Sequence, residues 1–203
     1  MIAWPILAAQ KAGIFDRIIV STDDAAIAEV AQSAGAETPF LRDAALADDH
    51  SGVTEVIRDA IRRLNAPHTA KICLLYATAA LVSPEDLVTG AQAVDAPEVS
   101  FAISVTRFTA PVQRALSIKI GAVQMMDQAN LLVRSQELEP AYHDAGQFCW
   151  GRAEAWLGDE RVFIAPTAPI ILPSDRVQDV DTEDDWRRAE LIAKALGFSE
   201  TTA

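Results

Sequence analysis

The chain has 203 residues, half of them hydrophobic and 23% charged, which suits one globular domain and excludes a disordered chain. Its 29 Asp and Glu outnumber 17 Lys and Arg, for a formal net charge of −12. That acidity makes a nucleic-acid backbone or an anionic membrane surface a poor partner.

The longest apolar run, 72–82, falls far short of the roughly 20 residues a spanning helix needs. The apolar N-terminus has no basic residue ahead of it, unlike a signal peptide. Cys73 and Cys149 lie far apart in apolar runs, the pattern of buried free thiols rather than a disulfide or zinc site. The setting expected from these features is soluble, reducing and cytoplasmic.

In chain order, residues 4–12 are expected as a helix closed by Gly13 in a left-handed cap. A short β-branched strand follows at 17–21 (RIIVS). A helix at 24–33 carries Ile27 and Val30 on one side. Residues 53–64 place Val56, Ile57, Ala60, Ile61 and Leu64 at helical spacing. The run 71–76 (KICLLY) has the pattern of a strand buried on both faces of a parallel sheet. Ser83 and Pro84 are a cap and first helical residue, and 100–106 is a further strand. Residues 115–126 fold back as a hairpin around Gly121, and 147–151 is another strand. Thr182 opens the last helix with Asp185 completing a capping box, and Gly197 ends it. Strands alternating with helices predict an α/β fold with an open, mostly parallel sheet and helices on both faces.

Several groups of polar residues stand out. Asp179 and Asp181 flank Val180, so in extended backbone their carboxylates share one side. Paired oxygen donors at the end of a short strand suit Mg²⁺ shared with substrate phosphates; an acidic lead into a helix is the plainer alternative. Residues 21–24 (STDD) fit helix capping, with Thr22 and Asp23 as the caps. Arg42 opens a polar loop, 42–51, and faces either a phosphate or base or only solvent. The segment 134–148 is a long polar loop holding Arg134 and His143; His143 is either a proton-handling group or a structural histidine. His50 and His68 have no supporting neighbours. Tyr76 and Thr78 end the KICLLY strand, where open sheets present ligand contacts. Neither a nucleophile triad nor a Gly-rich phosphate loop occurs.

The stretches 20–31 (VSTDDAAIAEVA), 39–42 (PFLR), 113–116 (QRAL), 134–148 (RSQELEPAYHDAGQF) and 177–186 (VQDVDTEDDW) resemble the acylneuraminate cytidylyltransferases, most closely their pseudaminic acid branch. The resemblance implies a Rossmann-like domain with a small dimerisation excursion at roughly 107–145, working as a homodimer. It implies transfer of CMP from CTP to the anomeric hydroxyl of a nine-carbon acidic sugar, with release of pyrophosphate, for surface glycan synthesis. By the same resemblance Asp179 and Asp181 are the catalytic, Mg²⁺-holding pair, Arg42 and Ser51 line the cytidine pocket, and Tyr76, Thr78, Arg134, His143, Asp144 and Gln147 surround the sugar. The family pattern places a first strand and a basic Gly-rich triphosphate loop ahead of the helix that begins this sequence. The expectation is therefore that the chain as written lacks them and has little or no transferase activity; a truncated, catalytically silent nucleotide- or partner-binding homologue is one alternative. A CMP-sialic or legionaminic acid synthetase is the other alternative.

Overall fold

A computed structural model describes residues 1–48 and 51–198. Helix α1 (Ala3–Ala12) ends at Gly13, which takes φ 66°. Helix α2 (Ala25–Ser33) starts on Asp24, whose carboxylate accepts from the Ala26 and Ile27 amides. The cap is thus Asp24, not Thr22 or Asp23. Ala28 and Ala31 are the buried residues of α2, and Ile27 and Val30 are exposed. The strand expected at 17–21 is reduced to one parallel bridge, Ile19 to Glu37.

Helix α3 (Val53–Arg63) buries Ile57 and Ile61, as its periodicity predicts. Strand β1 (Lys71–Leu75) leads to α4 (Pro84–Ala93), capped by the Ser83 hydroxyl with Pro84 in the first turn. Strand β2 (Phe101–Arg107) is buried over all but its last residue. Strands β3 (Leu116–Lys119) and β4 (Ala122–Met125) form the expected hairpin; Ile120 and Gly121 both adopt positive φ in its turn. Strand β5 (Tyr142–Arg152) is much longer than expected, because half of the polar segment 134–148 is strand rather than loop. The short helix α5 (Ala153–Leu157) and strand β6 (Thr167–Leu172) have no counterpart in the sequence-based expectation. Helix α6 (Glu183–Ala195) carries the expected Thr182–Asp185 capping box.

The main sheet has the order β1-β5-β2-β6. β5 runs antiparallel to both β1 and β2, and β2 runs parallel to β6. Strands β1, β2 and β6 therefore point one way, and β5 alone is reversed. KICLLY occupies a sheet edge rather than a parallel interior, although both its faces meet apolar residues. Helices α1 and α4 cover one face over Phe148, Trp150, Ile170 and Leu172. Helices α3 and α5 cover the other over Phe101, Ile103, Val105 and Cys149. Among the described residues, no helix is long and apolar enough to cross a membrane.

The irregularity that shapes the site lies between β2 and β5. Cys149 pairs with Ile103, but Val105 pairs with Asp144. Ser104 alone therefore faces residues 145–148, and β5 bulges out there. The fully buried Ser104 hydroxyl accepts from the Gln147 and Phe148 amides at 3.3 and 3.0 Å and donates to the Phe148 carbonyl at 3.1 Å. Gly146 supplies the positive φ, 63°, that the excursion requires. Ser104→Ala leaves buried amides unpaired. Chemical denaturation is expected to show a loss of about 1–3 kcal/mol, and unchanged stability would contradict the role given to this hydroxyl.

Candidate active site

The carboxyl ends of β1, β2 and β6 lie along one edge of the sheet, where ligands of open α/β sheets bind. Asp179 and Asp181 follow β6 there, in irregular backbone between a single 3₁₀ turn (Ser174–Arg176) and α6 rather than at the end of a strand. Two contacts anchor this approach. The half-buried Arg176 pairs with Asp86 at 2.8 Å, and the Arg176 carbonyl accepts from Gln147 Nε2 at 2.9 Å.

The bulge of β5 comes up against this segment. A Cβ added to Gly146 would sit 3.2 Å from Asp179 Oδ1, so a side chain here would push the carboxylate aside by a few tenths of an ångström and would also meet the strain of a positive φ. The Gly146 amide donates to Asp144 Oδ1 at 2.8 Å. Gln147 is buried, and its Oε1 has no hydrogen-bond partner among the described residues. Tyr76 leaves the end of β1 and donates its amide to the Gln147 carbonyl at 3.0 Å. Tyr76, Asp144, Gln147, Asp179 and Asp181 are thus brought together, and Thr78 follows in the turn after β1.

The electrostatics follow from that grouping. Burial and the neighbouring Asp181 hold Asp179 above the usual carboxylate range, with Asp144 and Asp185 adding to the effect against a hydrogen bond from the Val180 backbone. Burial, then Asp144, Cys149 and Asp179, push the Tyr76 phenol up. Asp185 is held low by the Thr182 hydroxyl, so it belongs to the helix cap. Burial raises the Cys73 thiol and takes Cys149 up to about 12; both are free, inert thiols, as expected.

The donor set fits a hard divalent cation shared with a ligand. Among the described residues no group of three or more His, Cys, Asp or Glu side chains is placed to hold a metal. Asp179 and Asp181 are neighbouring carboxylates that act on one another, and Mg²⁺ is commonly held by one or two carboxylates with water and phosphate oxygens completing its shell.

Arg42 and Ser51 form a separate group. Arg42 takes a hydrogen bond position beside Thr22 through its amide (2.8 Å to the Thr22 carbonyl), and its guanidinium pairs with Asp23 at 3.4 Å. Its buried Nε, like the Ser21 hydroxyl, has no partner among the described residues. Ser51 donates its hydroxyl to the Ala45 carbonyl at 3.1 Å and its amide to Asp48 at 2.7 Å. No hydrogen bond or ion pair among the described residues joins this group to the acidic one. His50 lies outside the described residues, and His68 is exposed.

His143 is exposed on β5; its Nδ1 lies 2.8 Å from the Asp144 carbonyl, and its ring lies 4.7 Å from Phe108. Arg134 precedes a 3₁₀ turn at Ser135–Glu137, exposed, and pairs with neither Glu137 nor Glu139. A cleft of about 320 Å³ opens beside these residues, lined by Arg107, Phe108, Thr109, Ser135, Glu139 and Ser174 among others. Ser104, Gly146 and Arg176 were not legible in the sequence: each acts through partners distant in the chain, which no local pattern announces.

The cytidylyltransferase family model matches residues 1–148. The pseudaminic acid cytidylyltransferase of Campylobacter jejuni serotype O:2 is 36% identical over 197 residues, 96% of this chain and 85% of that protein. A CMP-N,N'-diacetyllegionaminic acid synthase of Legionella pneumophila is 29% identical, over 95% of this chain and 84% of its own. A solved CMP:2-keto-3-deoxy-manno-octonic acid synthetase in complex with CTP shares the fold, with TM-score 0.64 at 13% identity, covering 94% of this chain and 86% of that one. The fold is that of a nucleotidyltransferase-like α/β domain. The chain belongs to the cytidylyltransferase family.

The raised Asp179 pKa has a consequence for stability. A carboxylate held above its unfolded value opposes folding at pH above that pKa, and the penalty fades as pH falls through it. Asp179→Asn is therefore expected to raise the metal-free melting temperature at pH 7, by up to about 2 °C given the group's exposure. The gain shrinks at acidic pH, where the wild-type carboxyl is itself protonated. A lower melting temperature at pH 7 would contradict the crowding of carboxylates described above.

Proposed function

We propose that this chain transfers CMP from CTP to the anomeric hydroxyl of pseudaminic acid, releasing pyrophosphate. The observation that carries the reading is the carboxylate pair Asp179–Asp181 held against the β5 bulge, in a chain 36% identical to a pseudaminic acid cytidylyltransferase. In this reading Asp179 and Asp181 hold Mg²⁺, which when bound neutralises charge on the phosphates. Arg42 and Ser51 face the cytidine, the unpartnered Arg42 Nε being a donor available to it. Gln147 offers its unpaired Oε1 to a sugar hydroxyl or amide, and Tyr76, Thr78 and Asp144 complete that side. Transfer of this kind depends on positioning and charge neutralisation more than on covalent chemistry. The setting is the cytoplasm, and the product feeds surface glycan synthesis.

The enzyme acts as a homodimer in this proposal. Cross-strand pairing sets Leu116 with Met125 and Ile118 with Val123, so one face of the hairpin is wholly apolar. Leu116, Ile118 and Val123 are nevertheless exposed. A lone two-stranded hairpin is marginal in water, and a second copy laid on this face would cover it. Sedimentation equilibrium is expected to return twice 21.9 kDa, falling to the monomer in Ile118→Asp; a monomeric wild type would contradict the dimer.

Calorimetry with each nucleotide in the presence of Mg²⁺ is expected to show CTP bound at least about tenfold more tightly than UTP or GTP. With enzyme in excess over pseudaminic acid, a single turnover should form the CMP-sugar and an equal amount of pyrophosphate, even where transfer is slow. Preference for another base, or no CMP-sugar under these conditions, would overturn the reading.

A further inference from the structure

We propose that Asp86 draws Arg176 away from Asp179 and Asp181, and so keeps that carboxylate pair open to a divalent cation. The inference rests on the metal reading of the pair and adds to it a positioning residue on α4, acting through Arg176.

The sequence sets a problem that the fold has to solve. Arg176 stands three residues before Asp179 and five before Asp181. A guanidinium forks onto a carboxylate with two hydrogen bonds, and such an internal pair would occupy the oxygens that a cation needs. Space permits it. Three residues of chain span at most about 11 Å between Cα atoms, a gap that an arginine and an aspartate side chain close between them. The Arg176 carbonyl accepts from Gln147 Nε2 at 2.9 Å, and the Asp179 carboxylate lies against Gly146, the preceding residue of β5. Arg176 and Asp179 therefore stand side by side along the bulge.

The guanidinium nevertheless turns the other way. Arg176 Nη1 donates to Asp86 Oδ2 at 2.8 Å, and the two side chains are only 23% and 17% exposed. The charges that act on Asp179 are those of Asp181, Asp144 and Asp185. Asp86 is suited to this hold. It lies in the first turn of α4, after Pro84, and donates its amide to the Ser83 hydroxyl at 3.2 Å. A carboxylate there is favoured by the positive end of the helix, and the helix keeps it from following Arg176 toward the site. Arg187 and Arg188 are held off in a similar way, because they face Asp184 and Asp185 in the first turn of their own helix, α6.

The test is Mn²⁺ binding at low ionic strength, read as loss of the free-ion paramagnetic resonance signal. The proteins are the wild type, Asp86→Asn, Arg176→Gln, the double variant Asp86→Asn/Arg176→Gln, and Asp181→Asn, each with a thermal melt. All three pair variants lose the same ion pair, so their melting temperatures should fall by similar amounts. Asp86→Asn alone leaves a free guanidinium beside the acidic pair. It should bind Mn²⁺ at least about tenfold more weakly than Arg176→Gln does, and the gap should narrow at high salt. Removing the guanidinium as well should recover that loss, so the double variant should match Arg176→Gln within about twofold. Asp86→Ser takes the place of Asp86→Asn should the latter not fold. Equal weakening in all three pair variants would reduce the pair to an anchor and overturn the proposal, as would wild-type affinity in Asp86→Asn. Asp181→Asn separates these outcomes from the metal reading. If the wild type binds Mn²⁺ clearly better than Asp181→Asn, that reading stands and the proposal alone is at stake. If it binds no better, both fall.

Discussion

The site depends on one buried hydroxyl. Ser104 faces four residues of β5 where a regular ladder would set one or two, and its single oxygen satisfies two amides and one carbonyl of that bulge. Without it the polar backbone of the bulge would be stranded inside the sheet. With it, β5 swings Gly146 against the Asp179 carboxylate and leaves Gln147 buried with one acceptor open. The cost of departing from regular pairing is borne by the sheet, and the gain appears at the site.

The acidic segment is held from the other side by Arg176. Its guanidinium ties the 3₁₀ turn to α4 through Asp86, while its carbonyl takes the Gln147 amide group. Two independent supports therefore converge on the gap between β5 and residues 179–181. Into that gap the chain places carboxylates that repel one another, as the raised Asp179 shows. In the proposed reading, a cation held by this pair would relieve that repulsion.

Features set by neighbouring residues were legible in the sequence. Gly13 and Gly197 as helix ends, Ser83 with Pro84, the Thr182–Asp185 box and the Gly121 turn each depend on a few adjacent residues, and each is found. What was not legible depends on partners distant in the chain. β6 holds Pro169 and passed unnoticed because proline weakens a strand signal, but as an edge strand β6 tolerates it. The polar residues of 142–146 hid the first half of β5, whose pairing with β2 outweighs their weak strand propensity. Residues 17–21 have the composition of a strand yet gain only one bridge. Likewise Asp179 and Asp181 were recognised by their spacing, whereas the Ser104 and Gly146 that complete their surroundings come from other strands.

In the proposed function a divalent cation binds at Asp179 and Asp181 beside the β5 bulge. Substoichiometric Mn²⁺ added to ¹⁵N-labelled protein tests it directly, because paramagnetic broadening falls steeply with distance. The amides of Gly146, Gln147 and residues 179–182 should broaden first and together, and excess Mg²⁺ should restore them. Broadening that starts elsewhere on this acidic surface, or that spares Gly146 and Gln147 while residues 179–182 disappear, would contradict the account.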